Sequence, residues 1–202
     1  MVVAQKEKPK MLVVEWGDLR KLPENVMTAV DNRRQDTLYK RHKNEDGSVG
    51  GFVADSAKIG SNVRIALRAV VGEGVELADG VTVEEWAEVG GGTRLGAGTV
   101  VGKHAMVAGR IGAGVKIGNG VDIFFKAVVE DGVTIGDNAR IDAEETIGAG
   151  STIGSGAVVE DDLKPGTRVP DNALIITGDG GLYIDDMGKV IEKPQSNLEK
   201  GT

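Results

Sequence analysis

The chain contains no cysteine. That excludes a disulfide framework, a thiolate zinc site and a cysteine nucleophile. Histidine is nearly absent as well, with 2 in 202 residues, His42 and His104. Aromatic residues make up only 3% of the chain, so a core must be assembled from small aliphatic side chains. Basic charge is outweighed, with a net charge of −7 and a pI near 5.0. A general nucleic-acid binder needs a basic footprint, and docking on anionic lipid needs cationic charge, so neither partner is expected. No apolar run approaches the ~18 residues of a membrane span. The opening MVVAQKEKPKMLVVEW is too short in apolar length for a signal peptide, and Lys and Pro interrupt it. A soluble cytoplasmic protein is the expectation.

What the chain does have is rhythm. Glycine numbers 31, and hydrophobic residues make up 40%. From Val53 an aliphatic residue recurs every six positions: Val53, Ile59, Ile65, Val71, Leu77, Val83, Val89, Leu95 and Val101. The beat resumes at Ile111 and continues through Ile117, Ile123, Val129, Ile135, Ile141, Ile147, Ile153 and Val159. The fifth position is mostly small or β-branched, and the fourth is often Gly or Asn, as in IGSNVR and IGNGVD. A period of six suits neither a helix nor a plain alternating strand. It suits a short strand and a corner, with the first and fifth side chains inside and a corner that often needs φ > 0 at the fourth.

These hexads, from Val53 to about Pro170, resemble the hexapeptide-repeat superfamily. The resemblance implies an all-β fold, a left-handed parallel β-helix with three hexads per coil and about six coils here. It also implies a homotrimer and, in many members, acyl transfer from coenzyme A with a histidine as general base. Handedness and activity come from the resemblance, since spacing alone yields neither.

Between Val101 and Ile111 the gap is ten residues rather than six. We read it as an outward excursion over Met106–Arg110 that leaves the order of the faces unchanged, and set aside a shortened hexad at Val107. On that reading one column of hexads has fourth positions Arg68, Trp86, His104, Lys126, Glu144 and Asp162, none of them Gly or Asn. A Trp or Lys with φ > 0 would be an outlier, so another corner geometry is expected along that edge. The edge either packs against a neighbouring subunit or the chain's own termini, or forms a ligand site.

His104 is the candidate base, because imidazole exchanges protons near neutral pH. On this register Trp86 lies one coil below and Lys126 one coil above. Trp86, Glu85, Lys103, Arg110 and Phe125 are candidate substrate-binding residues: Trp86 as a flat wall, Arg110 for a phosphate or carboxylate. Arg94 and Lys116 end successive hexads of one column and are candidates for a nucleotide phosphate, although two basic residues are more often plain surface. Exposed Phe124 and Phe125 point first to trimer packing, and Lys126, Glu144 and Asp162 to a solvated or intersubunit charge row. Glu145 takes a normally inward position, so it either turns outward or needs a buried partner. No metal is expected: superfamily members that act as carbonic anhydrases need three histidines. The Gly-rich triplets recur in every coil and turn the chain, and no phosphate-loop or dinucleotide fingerprint is present. One departure is plain. Acyltransferases of the superfamily commonly fold a long loop over the active site, and here the excursion is four residues.

The organisation expected is an N-terminal capping segment over 1–50, a β-helix over 51–170, and a hairpin with a mobile tail over 171–202. MLVVEW reads as a strand, PENVMTAVDNRR as a short helix, and LYI with KVI as a hairpin across a DDMG turn. Two functions follow. One is acyl transfer from an acyl-coenzyme A co-substrate, with no tightly bound cofactor, to a hydroxyl or amine of a small sugar-like acceptor at a subunit interface. The other is a non-enzymatic trimer, a structural or adaptor protein of a virion or surface assembly.

Overall fold

Two-residue strands followed by tight corners stack in register when each coil repeats the length of the last. The structure, a computed structural model, describes the backbone of Leu12–Val14, Thr28–Asn32, residues 35–176, Leu182–Ile184 and Val190–Glu192, and the side chains of residues 39–176. Between residues 49 and 176 it is a parallel β-solenoid of about seven turns. Three faces are defined by their inward residues. Face A carries Val53, Val71, Val89, Val107, Ile123, Ile141, Val159 and Ile175. Face B carries Ile59, Leu77, Leu95, Ile111, Val129, Ile147 and Leu163. Face C carries Ile65, Val83, Val101, Ile117, Ile135, Ile153 and Val169. All but Ile59 are buried, joined by small fifth-position residues such as Ala69, Ala87, Val115 and Ala127. Each such Val, Ile or Leu contributes about 1.5–3 kcal/mol on burial.

This register corrects the sequence reading at its weakest point. Val107 is not part of an excursion. It pairs with Val89 below and Ile123 above and is fully buried on face A. Ile111 then follows on face B after only four residues. The shortened hexad that was set aside is therefore the one present, and it accounts for about seven turns instead of six. Val107 pairs with Ile123, sixteen residues on, where Val71 pairs with Val89, eighteen on. The final turn is cut in the same way, since Ile147 bridges Leu163, again sixteen on.

At the first cut the two-residue strands give way to long ones. Met106–Ile111 and Asp122–Val129 each run from face A into face B, the second turning at Lys126. Their register slips between Val107 and Gly109, so Ala108 alone stands opposite Phe124, Phe125 and Lys126. Gly109 has φ of 143°, and a Cβ there would lie 2.3 Å from the Ala127 carbonyl oxygen, so only glycine fits.

The first coil would leave open strand edges, which invite association. Strand β1 (Leu12–Val14) pairs in parallel with β2 (Thr28–Asn32), which pairs antiparallel with β3 (Gln35–Lys43). In turn β3 pairs antiparallel with β4 (Val49–Ala54), the first strand of face A. Residues 28–32 are thus strand where a helix was expected, and the rest of that stretch, 23–27 and 33–34, lies outside the described residues. Face C is closed by one side chain. The buried Asn44 amide accepts from Ile65 N–H at 2.9 Å and donates to Ile65 C=O at 3.3 Å, replacing the strand that is not there. At the far end Leu182–Ile184 and Val190–Glu192 pair antiparallel.

Candidate functional site

The corners show what is unusual about this chain. Between faces B and C every corner residue with positive φ is Asn62 or a glycine, from Gly80 to Gly166. Between faces C and A the series runs Arg68, Trp86, His104, Gly120, Asn138, Gly156 and Asn172. Between faces A and B it includes Gly74, Gly92, Lys126 and Glu144. Arg68, Trp86, His104, Lys126 and Glu144 have φ of 73°, 65°, 58°, 66° and 71°. The expectation of another corner geometry is therefore wrong for these five, and Asp162, at the second cut, is the sixth residue of the expected row and lies outside the left-handed set. Side chains in this region cost about 1–2 kcal/mol each. They are held there by the coil beneath: His104 N–H donates to Glu85 C=O at 3.1 Å, and Glu144 N–H to Phe125 C=O at 3.2 Å.

The single column expected from the sequence also divides in two, because Val107 takes a place of its own on face A and every later hexad stands one face further on than expected. Arg68, Trp86 and His104 stack on the edge between C and A. The Arg68 guanidinium lies 4.7 Å from the Trp86 ring centre, and the Trp86 and His104 rings stack at 6.0 Å with 5° between their planes. Lys126 does not stand above His104, since Gly120 does. Lys126 and Glu144 instead form a 2.7 Å ion pair on the edge between A and B. That bond, followed by the lysine charge, holds the Glu144 carboxyl below its ordinary range.

His104 is exposed, and its ring is oriented by stacking on Trp86. Beside it Lys103 and Glu85 form a 3.5 Å ion pair across adjacent coils. Trp86, Glu85 and Lys103 are thus gathered around His104 as expected. Arg110 and Phe125 are not. Arg110 lies on face B, in register with Arg94. Phe125 lies on the A–B edge and is 64% exposed, with Lys126 Nζ 5.5 Å from its ring centre, while Phe124 carries the Arg140 guanidinium at 4.7 Å. Arg94 and Lys116 do not share a face either: Lys116 pairs in register with Val100 and Thr134 on face C.

Glu145 resolves between its two alternatives as half-buried, with no basic partner among the described residues. Desolvation raises its pKa first, and Asp162, Asp161, Asp142 and Glu144 add to the rise.

The sequence reading missed a second use of acidic residues. Corner amides point at carboxylates of the next coil up: Ser61 N–H to Asp79, Ala113 to Asp131, Asn119 to Asp137 and Ser155 to Asp171, all at 2.7–2.8 Å. An Asp in the third hexad position, eighteen or sixteen residues after a corner, is the signal that would have found them.

No protein-family model matches the chain, and no curated protein matches it. Among solved structures, a UDP-N-acetylglucosamine acyltransferase, LpxA from Bacteroides fragilis, is 17% identical with a TM-score of 0.38, covering 65% of this chain and 71% of its own. PerB from Caulobacter crescentus, solved with CoA and GDP-perosamine, is 26% identical with a TM-score of 0.38, covering 65% of this chain and 52% of its own. The acetyltransferase domain of PglB from Neisseria gonorrhoeae, solved with acetyl coenzyme A, is 26% identical with a TM-score of 0.38, over 64% of this chain and 52% of its own. This chain spans about half the length of the last two. The resemblance to the hexapeptide-repeat superfamily stands at the level of repeat and solenoid, without a subfamily.

Proposed function

We propose that this chain is an acyltransferase-like hexapeptide-repeat protein that moves an acyl group from coenzyme A to a hydroxyl or amine of a small, sugar-like acceptor. The observation that carries the reading is the exposed imidazole of His104, held on the C–A edge by a left-handed backbone and a parallel stack on Trp86. Strain of this kind persists where the surroundings over-determine it, and it gathers at functional sites. Stacking fixes the ring plane of the exposed imidazole. There His104 takes the proton of the acceptor's hydroxyl or amine as its oxygen or nitrogen attacks the thioester carbonyl. The C–S bond breaks, and the departing thiolate recovers a proton from the imidazolium. Glu85 and Lys103 supply polar contacts beside the ring. A homotrimer supplies the second wall of the cleft, and a cytoplasmic setting supplies the donor.

The test is release of free thiol from acetyl-coenzyme A with a panel of amino sugars. His104→Ala should lower turnover about 10²–10⁴-fold and leave the solenoid folded. Equal turnover in the two proteins would refute the role of His104.

A second reading has its own observation. Phe124 and Phe125 are 37% and 64% exposed, and Met106, one coil below, is 50% exposed. Apolar surface of this kind marks contact with another protein, which favours a non-enzymatic assembly module. Absence of turnover with any acceptor, together with a Phe125→Asp variant that no longer trimerises, would select it.

A further inference from the structure

The cut at Val107 does more than shift the faces. It carries Arg110 straight onto face B, in register with Arg94 on the coil below. Strands in register lie about 4.8 Å apart, and like charges directly opposite repel. The row on this face reads Lys58, Glu76, Arg94, Arg110, Val128 and Thr146. Its lower part is neutralised only in part, one carboxylate standing against two cations: Glu76 takes Lys58 at 2.7 Å and Arg94 Nε at 3.2 Å, and both hold its carboxyl below the ordinary range. Arg110 has no carboxylate within 4 Å among the described residues.

The two guanidiniums open onto a groove of about 370 Å³. Gly112 lies in its lining, and a Cβ there would fall 2.3 Å from Asp131 Oδ1, so the lining stays bare. Val128 adds an apolar patch, and Glu130 and Asp131 complete the lining. One oxygen of each carboxylate is held by a backbone amide: Glu130 Oε2 accepts from Ala149 N–H at 2.8 Å, and Asp131 Oδ1 from Ala113 N–H at 2.7 Å. Their other oxygens have no hydrogen-bond partner among the described residues. The groove therefore offers forked cationic donors at one end, which match a phosphoryl group, and acceptors at the other.

We infer that the groove between Arg94 and Arg110 binds a small phosphomonoester whose other end carries hydroxyl or amino donors, as a hexosamine phosphate does. The phosphoryl group bridges the two arginines and relieves their repulsion. The donors meet Glu130 and Asp131, and this pairing disfavours a polyanion. Lys116, on face C, takes no part. The inference does not depend on catalysis by His104, which lies on the C–A edge, across face C from the groove.

Phosphorus NMR titration of the full chain tests it, with glucosamine 6-phosphate, inorganic phosphate and coenzyme A as probes. Glucosamine 6-phosphate is expected to bind at least tenfold more tightly than inorganic phosphate. Arg110→Gln should weaken it at least tenfold, and Glu130→Gln should remove most of the preference for the amino sugar. Lys116→Gln should change nothing. An unchanged affinity in Arg110→Gln, with circular dichroism like the parent's, would overturn the inference. So would equal affinity for inorganic phosphate. Coenzyme A binding tighter than the sugar phosphate and lost in Arg110→Gln would instead assign the groove to the donor nucleotide.

Discussion

Replacing His104 with glycine and with alanine should give stabilities in an unusual order. In most folded segments alanine is the better residue, because glycine has more freedom to lose. At His104 the backbone sits at φ 58°. Both substitutions remove the imidazole and its 6.0 Å stack on Trp86, so that loss cancels between them. What remains is the cost of a Cβ in the left-handed region, about 1–2 kcal/mol, less the extra freedom of the unfolded glycine chain, about 0.4–1 kcal/mol. The glycine variant should therefore be the more stable by about 0.5–1 kcal/mol. Urea denaturation followed by circular dichroism reads this as a higher midpoint for His104→Gly, with equal slopes. The comparison is free of any assumption about function. An alanine variant as stable as the glycine variant, or more so, would refute the strained corner and with it the argument that the edge is held against its own preference.

Three further outcomes follow from the geometry. Asn44→Ala removes the partners of both Ile65 N–H and Ile65 C=O at the open end of face C, and should cost about 2–6 kcal/mol at about 1–3 for each buried group left unpaired, measured by denaturant midpoint. Gly109→Ala forces a methyl against the Ala127 carbonyl, and should cost about 2–3 kcal/mol, with the loss concentrated in exchange protection of Met106–Ile111 and Asp122–Val129. Glu145→Gln tests the direction of its pKa shift. The folded chain holds this proton more tightly than the unfolded chain, so stability falls as pH rises through the carboxyl range to the raised value. The variant should melt above the parent at pH 7, with the difference closing by about pH 4; a difference that grows on acidification would contradict the raised value.

The solenoid was legible because burial imposes its own arithmetic. Only an aliphatic first position can face the interior, so hexads announce themselves. The error at Val107 has a physical source too. Val107 keeps the beat, six after Val101, and that was visible. The apparent continuity of Arg68, Trp86, His104, Lys126 and Glu144 masks it, although these residues occupy two edges. Their φ values escape the sequence for a related reason. Steric preference is a property of one residue, whereas a corner here is fixed by hydrogen bonds to the coil beneath, such as that from His104 N–H to Glu85 C=O. The gathering of Trp86, Glu85 and Lys103 around His104 needed only correct stacking of the coils below the cut, and so was read correctly. Arg110, Phe125 and Lys116 lie at or above the cut, and their placement failed with the register.

The four-residue step from Val107 to Ile111 also governs how such a chain can lengthen over generations. Duplication of a whole coil would leave every later side chain on its own side of the prism. Gain or loss of one hexad would turn everything after it by a third of a revolution. The shortened step has neither effect: Val101, Val107 and Ile111 still pass from face C to A to B, one face per step, so every later strand keeps the side it would have had with a full corner. Two residues withheld from one corner shorten that turn and leave the order of the flanks intact, a loss the lattice absorbs where the loss of a strand would not be absorbed.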